Sequence, residues 1–373
     1  MAFDLKLGLR NIDFAGIGRR IKEFVVPFNA YLGIDIGTTS IKVVELAQND
    51  GSISLKNYGI LENFGHLERE NAAIQTSSLK IMDEMTTEML KELMRQMGPM
   101  VRNAVFSLPA FSSFVTVMDL PTLSDKDLKA AIPYEARQYI PIPLTEVVLD
   151  WQALNPLAGA GSERSQILLI AVPQEVVNKY YRIAQQSGLN LKALELESVS
   201  LARALVNHDP TTTLIIDMGS RATSISIVDE KNIRLTHDID TAGNDLTLAV
   251  SRGLNISTLT AEQMKKDRGL AVAPDSQYLP ALITPLLDVI INEVSKVKQR
   301  YFDKNRREVK RVILTGGGVL PPGISDYFSK ELGLETFFGN PLSKINYNPQ
   351  LEPAIRDIGN TLSVALGAAL KEF

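Results

Sequence analysis

An α/β protein built from two duplicated halves is what the 373-residue sequence predicts, on three observations. Stretches with strand and helix periodicity alternate along the chain. A strand–Asp–Gly–hydroxyl–strand unit occurs twice, as YLGIDIGTTSIKVVEL from Tyr31 and TLIIDMGSRATSISIVDE from Thr213; Asp35 matches Asp217 and Gly37 matches Gly219. A third turn, Gly316-Gly317-Gly318, follows the apolar strand RVILT. Taken singly, an Asp turn of this kind reads first as a surface hairpin, since Gly and small polar residues join strands. Two copies, each opening a half of the chain, favour a duplicated ligand loop.

The elements follow in order. In residues 1–30, Phe14, Ile17, Ile21, Phe24 and Phe28 recur at helical spacing, with Arg19, Arg20 and Lys22 off that stripe. This is a helix packed on the body or a partner, or an interfacial helix on anionic lipid; Gly16 and Gly18 weaken it. After the first hairpin comes a strand pair turned at Asn49-Asp50-Gly51. KIMDEMTTEMLKELMRQMG is a helix whose Met stripe serves core packing. NAVFSLPAFSSFVTVMDLP gives strands. Ser124 caps a helix that is bent or broken near Pro133. EVVLDWQAL and SQILLIAVP are strands, and the helix QEVVNKYYRIAQQSG stops at Gly188. LKALELESVSLARALV passes from strand to helix. After the second Asp hairpin and the glycine turn, the final helix IGNTLSVALGAALKEF carries small residues that pack closely on a sheet.

Composition narrows the function. The net charge of −4 gives no reason to expect nucleic acid. With no Cys, thiolate metal sites are excluded, and His66, His208 and His237 are too scattered for a His-based one. No run of 18 apolar residues spans a membrane; the most apolar segment, LPALITPLLDVIINEV, carries two Pro and Asp288. Two facing Asp turns hold a triphosphate through backbone amides and hydroxyls. Their carboxylates repel phosphate and need Mg²⁺ with its waters in between. The G-x-x-x-x-G-K-[ST] loop and a strand-leading G-x-G-x-x-G are both absent.

These motifs resemble the actin and heat-shock chaperone ATPase superfamily. GIDIGTTSIKVVEL is similar to its first phosphate loop, which implies nucleotide contacts from Asp35, Gly37, Thr38, Thr39, Ser40 and Lys42. IIDMGSRATSISIV is similar to the second, implying Asp217, Gly219 and Ser220. TAGNDLTLAV contributes Gly243, and TAEQMKKDRG resembles the nucleoside helix, with Glu262, Lys265 and Lys266. ILTGGGVLPPG resembles the adenosine motif, with Gly316, Gly317 and Gly318, and SVALGAAL the second connecting helix. Asp35 and Asp217 are the implied Mg²⁺ residues. Glu197 takes the place of the water-positioning acid that acts with Asp217, and Glu195 competes for that role. Residue by residue, plainer readings stand beside these: a solvated Lys42, an exposed Glu262–Lys265 helix pair, and Glu197 as an acid at a helix N-terminus.

The middle segment, SLPAFSSFVTVMDLP…SDKDLKAAIPYEARQYIPIPLTEVVLDW, resembles the PilM family of type IV pilus assembly and its relative, the FtsA cell-division family. The implied fold is α/β and actin-like: two duplicated domains around a nucleotide cleft, with an FtsA/PilM-type inserted subdomain. The expected layout is an extension at 1–30, a first domain at 31–208 with an insertion at about 106–190, a second domain at 209–356 with an outer part at about 241–299, and a helix at 357–373 returning to the first domain. The chain ends directly after that helix, where FtsA continues into a membrane-targeting segment, and this favours PilM. The resemblance implies an ATP- and Mg²⁺-binding scaffold, with at most weak ATPase activity, at the cytoplasmic face of the inner membrane. Implied partners are the N-terminal peptide of a PilN-like membrane protein, other platform proteins, a second copy of itself, and the membrane through partners or residues 1–30. The alternatives are an FtsA-like tether and a small-molecule kinase, for which no acceptor base or second-substrate site is evident. Trp151 and Tyr134, in the insertion, are core aromatics or part of a peptide groove.

Overall fold

The computed structural model describes residues 29–62, 76–157, 164–271 and 278–373. The amphipathic stripe Phe14–Phe28 and His66 lie outside them.

Two sheets of the same topology carry the molecule. The first is an antiparallel meander, β1 (Asn29–Ile36), β2 (Ser40–Asn49) and β3 (Ser52–Glu62). Its middle turn is Asp50-Gly51, both at positive φ, the two-residue hairpin that an Asn-Asp-Gly sequence favours. After α1 (Thr76–Met97) the chain returns parallel to β1 as β4 (Asn103–Leu108). Leu90, Leu93 and Met94 of α1 are buried in the first core, so the Met stripe packs as expected.

A second, smaller sheet then interrupts the first. It consists of β5 (Phe114–Pro121), α2 (Asp125–Glu135), β6 (Val147–Ala153) and β7 (Arg164–Pro173), in strand order β5-β7-β6. Ser124 caps α2 by accepting from the Asp127 amide at 3.2 Å. Pro133 does not break this helix, which runs on to Glu135 before a 3₁₀ turn. Trp151 packs half-buried against the small sheet's own core, while Tyr134 is 73% exposed with Arg137 over its ring.

The first sheet is completed by α3 (Gln174–Gln186), β8 (Asn190–Leu196) and α4 (Glu197–Leu201), which continues into a π turn. Gly188, after α3, has φ +68°, the left-handed stop that the sequence suggests. The strand order is β3-β2-β1-β4-β8.

The second half repeats this plan. Its meander is β9 (Thr213–Met218), β10 (Thr223–Asp229) and β11 (Asn232–Ile239). Next come α5 (Gly243–Leu254), α6 (Thr258–Arg268), α7 (Tyr278–Asn305), β12 (Arg311–Thr315), α8 (Ile324–Leu332) and β13 (Glu335–Phe338). Its order, β11-β10-β9-β12-β13, copies the first sheet strand for strand. By length and composition α7 could cross a membrane. Leu279, Ile283, Leu287, Ile290, Val294 and Val297 are instead buried at helical spacing in the second core, so it is a core helix.

The chain closes through α9 (Glu352–Ile358) and α10 (Ser363–Ala369). All seven residues of α10 are buried, and Ala365, Leu366 and Ala369 pack with Val44 and Leu46 of β2. Apolar contact runs between the halves as well: Ile215, Val228, Ile233 and Ile313 share a core with Leu154 and Leu201. A polar clasp lies beside it. Arg234 of β11 donates to Gln166 Oε1 at 2.9 Å and to the Asn155 carbonyl, and Lys304 pairs with Asp119 at 2.7 Å.

Candidate functional site

The two Asp turns close with the same hydrogen bond on a shared Asp-x-Gly framework. Gly37 N–H donates to the Ser40 carbonyl at 3.0 Å, and Gly219 N–H donates to the Ala222 carbonyl at 3.0 Å. Each aspartate sits one residue before the end of the central strand of its sheet, which pairs antiparallel with the next strand of the hairpin and parallel with the strand on its other side. The neighbouring strand adds a hydroxyl in each copy. Ser107 of β4 donates to Asp35 Oδ1 at 3.2 Å, and Thr315 of β12 lies in register with Asp217.

Across each hairpin the copies differ. Asp35 pairs with Lys42, whose Nζ lies 3.0 Å from Asp35 Oδ2. Asp217 pairs with Ser224, which turns to donate to Asp238 Oδ1 at 2.6 Å. One lysine therefore serves a group of acids. Burial pulls the Lys42 ammonium down, but Asp35, Asp217 and Glu197 more than offset this and hold it above its ordinary value. Lys42 is thus not a solvated strand residue.

Asp217 is pushed up to about 6, first by burial and then by Asp35 and Asp238, with Lys42 opposing. Glu197, the first residue of α4, is raised well above the carboxylate range by burial, Asp35 and Asp217. The turns and α4 thus bring Asp35, Asp217 and Glu197 into one electrostatic unit that is short of cations. Among the described residues, no three Asp, Glu or His converge closely enough to cage a metal. A hydrated Mg²⁺, held through its waters by Asp35 and Asp217, suits this donor set; it keeps several waters and takes one or two carboxylates.

Glu195 does not compete for this role. It points away and is buried, accepting both Arg203 terminal nitrogens at 2.6 Å and Ser200 Oγ at 2.7 Å, with Lys371 Nζ 3.6 Å away. Replacing it should separate the two acids. Glu195→Gln is expected to lose about 1–3 kcal/mol in urea unfolding, because charge-assisted bonds from a half-buried guanidinium to a buried carboxylate go. Glu197→Gln should not destabilise the ligand-free protein, since it removes a carboxyl whose ionisation its surroundings already penalise; equal losses in both variants would refute the assignment.

The other expected residues fall as follows. In the first turn Thr38 is exposed, and Thr39 and Ser40 are half-buried. Gly243 and Asn244 amides donate to the carbonyls of Gly219 and Ser220, fastening the second turn to the start of α5. Lys265 is 4% exposed and donates to the Gly243 carbonyl, Thr247 Oγ1 and Glu262 Oε2 at 2.7–2.8 Å. The Glu262–Lys265 pair is therefore a buried lock between α5 and α6 rather than an exposed helix pair. Lys266, exposed, lies 3.5 Å from Glu262 Oε1. Gly316 has φ +87°, and a Cβ there would meet Asp217 Oδ1 and the Met218 carbonyl at 2.5 Å. Gly318 packs on Met218, and Gly317 faces open space. Ser107, Ser224 and Asp238 were not expected. Ser107 on β4 and Asp238 on β11 reach the turns only through sheet pairing, whereas Ser224 lies on the second turn's own hairpin, at the place of Lys42 in the first copy.

A cavity of about 360 Å³ lies next to this unit, between the small sheet, the start of α4 and β11. Phe114, Tyr139, Leu169, Ser198, His237 and Asp238 line it.

Comparison with known proteins agrees with this geometry. The cell division protein FtsA of Enterococcus faecalis is 23% identical over 380 residues, covering 86% of this chain and 84% of FtsA. A solved structure of a PilM-PilN type IV pilus biogenesis complex matches with a TM-score of 0.75 at 24% identity, over 92% of this chain and 98% of that one. The ethanolamine utilization protein EutJ of Carboxydothermus hydrogenoformans matches at 0.55 and 18% identity, over 91% and 89%. The fold is thus actin-like. A family model of the type IV pilus assembly protein PilM matches residues 33–373, from just before the first aspartate to the last residue, and the chain belongs to that family.

Proposed function

We propose that this protein is an ATP-binding scaffold of the type IV pilus inner-membrane platform, acting on its cytoplasmic face. The observation that carries this reading is the pair of Asp-x-Gly turns, closed by the same backbone hydrogen bond, beside Glu197 and Lys42 in one acidic, cation-poor unit. ATP with Mg²⁺ supplies the missing cation and takes the turn amides and hydroxyls as donors. Residues 31–208 and 209–356 are assigned as the two domains around the nucleotide, with 357–373 returning to the first. Asp35, Lys42 and Asp217 orient the hydrated ion and phosphates, and Glu197 positions water where hydrolysis occurs. Calorimetry with Mg-ATP tests this. Asp35→Ala and Asp217→Ala are each expected to weaken binding at least tenfold, and unchanged affinity in both would remove the nucleotide reading.

The partner proposed is the N-terminal cytoplasmic peptide of a PilN-like protein. The resemblance to the solved PilM-PilN complex supports it, and the junction cavity offers mixed apolar and polar walls for a peptide. The Arg234 clasp ties the insertion to the second half, so peptide and nucleotide would be linked, with each shifting the other's affinity by the same factor. Titration of such a peptide with and without Mg-ATP tests this. Binding of an FtsZ terminal peptide instead would favour the FtsA-like reading.

A further inference from the structure

We infer that Arg234 and Lys304 form a latch that holds the inserted small sheet closed on the second half, and that its release opens the cavity between β5 and β11. This gate goes beyond the linkage proposed above and needs no ligand to operate. The small sheet is tethered at one end. Its chain connections to the first half, through residues 109–113 before β5 and through α3 after β7, both leave the end where Phe114 pairs with Ala171. From β7, Leu168, Ile170 and Val172 join the first core together with Val177 and Tyr180 of α3. The insertion therefore belongs to the first half by its chain and by an apolar face.

The latch lies toward the opposite end. Asp119 of β5 stands opposite Gln166 of β7, and Gln166 Nε2 donates to Asp119 Oδ1 at 3.0 Å. Onto this pair the second half brings two cations. Arg234 donates to Gln166 Oε1 at 2.9 Å, and Lys304 Nζ lies 2.7 Å from Asp119 Oδ2. Arg234 also donates to the Asn155 carbonyl, and Asn155 Nδ2 donates to the Glu230 carbonyl at 3.1 Å. Each of these bonds uses a side chain. β5 and β11 are each the outer strand of their sheet, and no backbone hydrogen bond joins them among the described residues. Polar boundaries of this kind are those across which domains move. Release leaves no buried charge orphaned. Arg234 keeps the Asp229 carbonyl through Nε at 3.3 Å, and Asp119 is 34% exposed.

The cavity occupies the tethered end. Residues 114–116 of β5 line one side and residues 236–238 of β11 another, with Ser198 of α4 also lining it. The two strands ride on different halves. Asp119 and Arg234 stand just beyond the cavity on the same two strands, so the latch sets the separation of its walls.

The full chain has no cysteine, so a single introduced thiol reports on its own surroundings. Ser198→Cys places one on the cavity lining, at a site 4% exposed, and Ser226→Cys places one inside the second sheet, at a site 2% exposed. Alkylation of each by a bulky maleimide is timed in the otherwise wild-type chain and with Gln166→Ala and Lys304→Glu combined. This pair of changes leaves Arg234 and its bond to Asp229 in place. The rate at position 198 is expected to rise about ten- to hundredfold, the range for a lost hydrogen bond to a charged group. The rate at position 226 should not change. Lys304→Glu alone, at a site 45% exposed where folding is not at stake, should raise the rate at 198 by a smaller factor, because it sets like charges face to face at Asp119. An unchanged rate at 198 in these variants would overturn the latch, since apolar contact alone would then hold the cavity shut. An equal rise at 198 and 226 would overturn it too, since the whole fold would then have loosened.

Discussion

Gly33→Ala is expected to lose about 3 kcal/mol or more of unfolding free energy, at or beyond the upper end of ordinary core overpacking. A Cβ on Gly33 would lie 1.8 Å from the Ala365 carbonyl oxygen and 2.6 Å from the Ala369 amide nitrogen. Both are backbone atoms of α10, so no side chain can swing aside. Either α10 moves off β1 or the strand bends. The helix is not free to move, because it is pinned on its other side. A Cβ on Gly367 would meet the Ser200 carbonyl of α4 at 2.0 Å, and Arg203 donates to the Gly367 carbonyl at 2.6 Å. Helix α10 therefore sets the spacing between β1 and α4. Asp35 stands two residues after Gly33, and Glu197 begins α4, so this spacing also sets the distance between the two acids. Urea denaturation should show a lower midpoint with the same slope, and Mg-ATP binding by the remaining folded protein should weaken too. A midpoint within error of wild type would mean that β1 and α10 are not in direct contact.

What could be read from the sequence was local in cause. The Asp-Gly turns follow from turn chemistry and recur, so the duplication and the pairing of Asp35 with Asp217 were visible without any long-range information. The small residues of the last helix foretold close packing on a sheet, and Gly33 inside a strand is the mark such a contact leaves. What could not be read depends on distant partners. Glu195 and Glu197 are two residues apart, across the step from strand to helix. Which one faces the cleft is settled by Arg203 and by Lys371 from the chain's end, which together claim Glu195. For Lys265 the sequence offers a nucleoside contact or an exposed pair with Glu262, and neither reading foresees that the close approach of α5 buries it on the Gly243 carbonyl and Thr247. Asp238 enters the site only because β11 pairs with β10 and sets it opposite Ser224. Pro133 stays within its helix because Ile132 and Ala136 beside it are buried in the small sheet's core, a tertiary gain that outweighs the lost bond.

Asp217→Asn should stabilise the ligand-free protein at neutral pH while weakening its hold on Mg-ATP. The folded carboxyl is pushed up to about 6 by burial, Asp35 and Asp238, above its ordinary 3.8. Below about pH 4 it is protonated in both folded and unfolded chains and has no effect on stability. As pH rises toward 6, the unfolded chain releases the proton first, so the folded state loses ground. Above the folded value the full penalty applies, on the order of 3 kcal/mol from the size of the shift. Asparagine cannot ionise, so the variant escapes this penalty and also relieves Glu197, which Asp217 helps to raise. Without nucleotide, the variant should unfold at higher urea than wild type at pH 7, and the difference should shrink steadily down to about pH 4. With Mg-ATP at about 100 times the wild-type dissociation constant the gap should nearly close. Wild type gains about 2.7 kcal/mol when ligand stands at 100 times its dissociation constant, and the variant, lacking the carboxylate that holds the hydrated ion, gains far less. A ligand-free variant less stable than wild type at pH 7 would mean that the Asp217 carboxylate supports the fold itself. The expected narrowing instead marks a residue kept at a cost to stability, most of which the cation it holds offsets on binding.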